Sequence, residues 1–113
     1  MDSAAPALEP LLDRALARLR AAHSDLSIDT AAEARLRALA RVSEFAVEVC
    51  LRQPALLPAL LADDGAQPLS PPRLTAENRG EWSALLCRYR QAESVRLIWR
   101  DVHGLDSLDD TLA

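Results

Sequence analysis

Few residues in this 113-residue chain combine a reactive side chain with a spacing that could use it. His23 and His103 are far apart, each at an expected helix end where orphan carbonyls favour a cation, so structural capping or simple exposure accounts for both. Cys50 and Cys87 have no second thiol or histidine at ligand spacing and read as buried free thiols on helices. A disulfide between them would require two helices packed side by side at a suitable Cα separation. Asp63-Asp64 and Asp109-Asp110 are adjacent carboxylates, but the first pair flanks a turn and the second opens a helix, where neighbours point to different faces. No Gly-rich phosphate loop, nucleophile motif or His-x-x-x-His pair occurs. Arg88, Arg96 and Arg100 recur at spacings of eight and four, a basic ridge with Glu93 and Asp101 as local partners. Either that ridge is solvated, or Arg96, Arg100 and Asp101 make buried or interfacial pairs that fix how a following domain docks, with Trp99 anchoring the contact from its apolar side. No catalytic, cofactor-binding or metal-ligating residue is assigned; Arg96, Trp99, Arg100 and Asp101 form the candidate docking set.

The elements that must position these side chains are helices. Half the residues are apolar, but the only aromatics are Phe45, Tyr89, Trp82 and Trp99, and the bulk is Ala and Leu, both strong helix formers. Val, Ile, Thr and aromatics never alternate over a run long enough for a half-buried strand. The length suits one core. An all-α fold is expected: a compact bundle of about four helices, plus the start of a truncated C-terminal helix, in a single helical domain over residues 1–113. The net charge of −4, with all 13 basic residues arginine, argues against a nucleic-acid surface. No apolar stretch approaches the ~20 residues that span a bilayer, and no basic leader precedes an apolar run. A cytoplasmic location with no membrane partner is the expectation.

Residues 1–9 are expected to be disordered, with Pro10 in the first turn of a helix that ends near Ala22. Leu8, Leu12, Leu16 and Leu19, with Leu11 beside them, make its apolar stripe. Thr30-Ala31-Ala32-Glu33 reads as a capping box, opening a helix that runs to about Arg52. Leu36, Leu39, Ala46 and Val49 form its core face, widened by Val42, Phe45 and Cys50. Gln53-Pro54 breaks that helix; a short one restarts at Pro54 or Pro58, carries Leu56, Leu57, Leu60 and Leu61, and stops at Asp63-Asp64-Gly65. Residues 64–74, rich in proline, read as a loop. Thr75 caps a last long helix that ends at Gly104, with Leu85, Tyr89, Ala92, Val95, Trp99 and Val102 as its stripe. Asp106 or Ser107 then opens a further helix.

Several stretches match a known family in order and spacing: Ser43-Glu44-Phe45, Gln53-Pro54-Ala55-Leu56-Leu57, Arg88-Tyr89-Arg90, Arg96-Leu97-Ile98-Trp99-Arg100-Asp101, Gly104-Leu105 and Asp109-Asp110-Thr111-Leu112. Over residues 30–113 the chain resembles the beginning of glutamine synthetase adenylyltransferase, a large bifunctional enzyme. Trp99-Arg100-Asp101 looks more like the lead-in of its first half than of its second. The resemblance implies a parent with two nucleotidyltransferase halves. One attaches AMP to a tyrosine of glutamine synthetase using ATP and magnesium; the other, the first in sequence, removes it by phosphorolysis and releases ADP. It also implies control by the nitrogen-signalling PII protein and by glutamine. The family's catalytic signature, a Gly-Gly turn before an Asp-x-Asp pair, does not occur here, so no catalytic residue carries over and the signature is expected beyond Ala113.

On that resemblance the chain is a fragment, a non-catalytic helical N-terminal region that packs against a downstream nucleotidyltransferase domain. A different reading is a free-standing helical module that binds a partner protein through Leu56, Leu57, Leu60 and Leu61 or through Trp99. A helix-turn-helix DNA binder is disfavoured by the negative charge.

Overall fold

The computed structural model describes residues 4–105, with α1 at Ala4–Ala22, α2 at Thr30–Val42, α3 at Glu44–Arg52, α4 at Leu56–Asp63 and α5 at Trp82–Val102. A short 3-10 segment, Ala76–Glu81, leads into α5. The fold is all-α, as the residue pattern requires. The helix expected to begin after Gly104 lies outside the described residues. No single helix among the described residues is long and apolar enough to cross a membrane.

One core serves all five helices. It joins Leu16 and Leu19 of α1, Leu36 and Leu39 of α2, Ala46, Val47, Val49 and Cys50 of α3, Leu56, Leu57 and Leu60 of α4, and Ala92, Val95 and Trp99 of α5. Each helix thus commits one stripe at three- and four-residue spacing to the interior. Around the edge, Arg37 pairs with Glu9 and Asp13, Arg18 with Glu48, and Arg20 with Glu33, lacing α1 to α2 and α3. These pairs are largely solvent-exposed and set register more than stability.

Four expectations need correction. Helix α1 starts at Ala4, so residues 4–9 are helical where disorder was expected. Pro10 stands seventh in it and cannot donate to the carbonyl four residues back, while the adjacent Glu9 is held by Arg37 and Arg41 from α2. The cap of α2 is Asp29, whose Oδ1 accepts from the Ala32 amide at 2.8 Å. Thr30 is already inside the helix, and Glu33 turns outward to Arg20. The single long helix from Thr30 to Arg52 is two helices: Ser43, at φ −147° and ψ 108°, ends α2 and caps α3. Its amide donates to the Leu39 carbonyl at 2.9 Å and its Oγ accepts from the Ala46 amide at 3.0 Å, so one residue serves orphan groups on both sides of the break. Finally, Val42 and Phe45, expected on the core face, are 63% and 43% exposed, because the break at Ser43 swings the two flanking residues outward.

Helix α4 ends where the Asp63-Asp64-Gly65 sequence placed its stop. Asp64 and Gly65 both take positive φ, 56° and 69°, and a Cβ on Gly65 would meet Arg96 Cγ at 3.0 Å, so glycine is required twice over. Residues 64–75 then run without helix or strand. At the entry to the 3-10 segment the Thr75 amide donates to Asn78 Oδ1 at 2.8 Å, and Trp82 Nε1 donates to the same oxygen.

Candidate docking surface

Among the described residues, no group of three or more His, Cys, Asp and Glu side chains could hold a metal ion. The reactive side chains are built into the framework instead. His23 is buried at 4% exposure, with Nδ1 3.0 Å from the Leu19 carbonyl and Nε2 3.1 Å from the Pro54 carbonyl, so it bolts the end of α1 to the α3–α4 turn. His103 places Nε2 3.1 Å from the Arg35 carbonyl and sets its ring edge-on to Trp99 at a centroid distance of 4.4 Å. Both cysteines are free thiols, but only Cys50 is buried; Cys87 is exposed on the outer face of α5, a correction to the expectation of two buried thiols. Burial pushes the Cys50 thiol up to about 12.

The four candidate docking residues do not form one outward surface. Trp99 is fully buried, with its indole nitrogen 3.4 Å from Asp64 Oδ1, and it anchors the chain's own core. Arg96 donates to the Gly65 carbonyl at 2.8 Å and pairs with Glu93, while Arg100 donates to the Asp64 carbonyl at 3.0 Å and to the Leu105 carbonyl at 3.3 Å. Asp64 itself pairs with Arg35 of α2. Asp101 is exposed. The expected solvated ridge is therefore an internal clamp: Arg96 and Arg100 hold the turn after α4 against α5, and Arg88 alone of the three is fully at the surface.

Glu93 completes the clamp. Its Oε2 accepts from the Leu69 amide at 2.6 Å, and Arg96 Nε lies 3.1 Å from the same oxygen. Partial burial works against its charge, but the hydrogen bonds from Arg96 and from the Leu69 amide outweigh this and hold its carboxyl below the usual range. Arg90, three residues before Glu93, is exposed.

Open apolar surface lies elsewhere. Of the large exposed hydrophobics, Leu8 (37%), Leu11 (56%) and Val42 (63%) line one groove of about 430 Å³ between α1 and the α2–α3 joint. Its floor is Leu12, Ala15, Ala40 and Val47, and its rim carries Arg14, Arg18, Arg41, Glu44 and Glu48. Helix α1 thus has one broad apolar face: Leu16 and Leu19 join the core, Leu12 and Ala15 are shared between core and groove, and Leu8 and Leu11 are its exposed part. The periodicity of α1 already contained Leu8 and Leu11. What it could not reveal is that, among the described residues, the break at Ser43 leaves them without a facing helix. The surfaces invoked for a free-standing module are spent internally, since Leu56, Leu57, Leu60 and Trp99 are core residues.

Comparison with known proteins gives a consistent result. The chain is 49% identical over 112 residues to the bifunctional glutamine synthetase adenylyltransferase/adenylyl-removing enzyme of Xanthomonas campestris pv. campestris, a match that covers 98% of this chain and 12% of the relative. The enzyme of the same name from Stenotrophomonas maltophilia is 46% identical over 94% of the chain and 11% of its own length. That from Nitrosococcus oceani is 32% identical over 91% of the chain and 12% of its own length. The chain therefore spans about 12% of the length of the curated relatives it matches. No family model and no solved structure matches it.

Proposed function

Because the chain is homologous to one segment of the bifunctional glutamine synthetase adenylyltransferase/adenylyl-removing enzyme, we propose that it forms the helical N-terminal region of the half that removes AMP from glutamine synthetase. In this reading it takes no part in the chemistry. It supports a nucleotidyltransferase domain of the same polypeptide, which binds the nucleotide and magnesium and answers to PII and glutamine, in a cytoplasmic enzyme of nitrogen regulation. The observation that carries the reading is the sequence identity over nearly the whole chain to a small part of a much longer enzyme. Two features of the fold support a non-catalytic role: the titratable residues at helix ends bind backbone carbonyls, and the arginines of α5 clamp a loop of the same chain.

The test is to express the gene that encodes this chain together with whatever follows Ala113 and to assay phosphate-dependent release of ADP from adenylylated glutamine synthetase. Activity in the long protein, none in residues 1–113, and loss of adenylyl removal but retention of adenylyl attachment when residues 1–105 are deleted is the expected pattern. Equal loss of both activities would refute assignment to the removing half; measurable ADP release by residues 1–113 alone would refute the non-catalytic role.

A further inference from the structure

The apolar face of helix α1 is wider than the described helices cover. Leu16 and Leu19 are in the core and Leu12 is buried, yet Leu8 and Leu11 on the same broad face stay exposed and line a groove with Val42. Both walls are helical, the floor is apolar, and charges of both signs are confined to the rim. This is the form in which a third helix lays its apolar face between two others. The sharp turn that opens the groove is actively held, since Ser43 bonds backbone groups on both sides of it.

We propose that the groove between α1 and the α2–α3 joint seats an apolar helix face from the catalytic portion of the same polypeptide. This rests on the reading above, and the occupant is chosen because most of each relative's length lies outside the matched segment while the described residues of this chain leave the face open. A covalently joined helix needs little affinity of its own to occupy such a groove, because its effective concentration is high. Leu11 and Val42 would be central to the contact and Arg14 at its rim would meet acidic side chains.

Thiol footprinting tests this. In a C87S background, which within residues 1–113 leaves only the buried Cys50, Leu11→Cys, Val42→Cys and a control Ala66→Cys outside the groove are each made in residues 1–113 and in the long protein, and labelling is read at each position by peptide mass mapping. Maleimide labelling at positions 11 and 42 should be fast in the short chain and at least about tenfold slower in the long one, with position 66 alike in both. Equal rates in the two contexts at positions 11 and 42 would overturn the proposal. So would slow labelling in the short chain that recovers on dilution, since a second copy would then be the occupant. The adenylyl-removing activity of the unmodified long protein judges the parent reading separately, so the two can fail independently.

Discussion

At the scale of single residues, the histidines, cysteines and arginines that invite a chemical reading are fasteners. Trp99 is the largest fully buried side chain, so Trp99→Ala should cost about 3–5 kcal/mol in urea unfolding, whereas Asp101→Ala, at the surface one turn-face away, should shift stability by less than about 0.5 kcal/mol. Cys50 sets a pH limit. Its thiol stays protonated in the folded chain up to about 12, while in the unfolded chain it ionises near its ordinary value of about 8.5. Above that value the unfolded state binds fewer protons than the native state, so folding stability falls as pH rises from about 8.5 to 12. Denaturant midpoints across that window should fall less steeply for Cys50→Ala. These roles were hard to read in sequence because the distant groups that His23, His103, Arg96 and Arg100 reach include backbone carbonyl oxygens, which every residue has and no residue type advertises.

The helices themselves were more legible than their joints. Leu36, Leu39, Ala46, Val49 and Cys50 were readable as core from spacing alone and are all buried. The same spacing concealed the break at Ser43, because an apolar period that continues across a kink looks like one long helix. The cue was Ser43 followed directly by Glu44, a capping residue and then an acid in a first turn, without the glycine or proline that usually announces a stop. Ser43→Ala should therefore cost about 1 kcal/mol by loss of the α3 cap, and Asp29→Ala a similar amount at α2, both read from chemical denaturation. Glu93 gives the loop a dependence of the opposite sign to Cys50. Its carboxyl is depressed in the folded chain, so its contribution is complete above the ordinary carboxylate range and is lost as pH falls through the lower, folded value. Protection of the amides of residues 66–74, relative to their intrinsic exchange rates at each pH, should fall on acidification, and in Glu93→Gln it should already be low at neutral pH.

For the whole molecule, the division between committed and uncommitted apolar surface matters most. Substitutions in the open groove, Leu11→Glu for instance, remove little buried area and should leave the urea midpoint of the 113-residue chain within about 0.5 kcal/mol of the parent. Leu16→Ala, on the core stripe of the same helix, should cost about 2–5 kcal/mol. The family was readable from the order of short motifs; the surface was not, because it depends on how much of the broad apolar face of α1 finds a partner. The clamp on α5 has one further mechanical consequence. Glu93, Arg96 and Arg100 lie along one side of that helix and grip Leu69, Gly65 and Asp64 respectively. A helix that slid along its axis or rolled would pull all three teeth out of mesh together. The segment after α4 cannot be unzipped from one end, and whatever takes hold of it takes hold of α5.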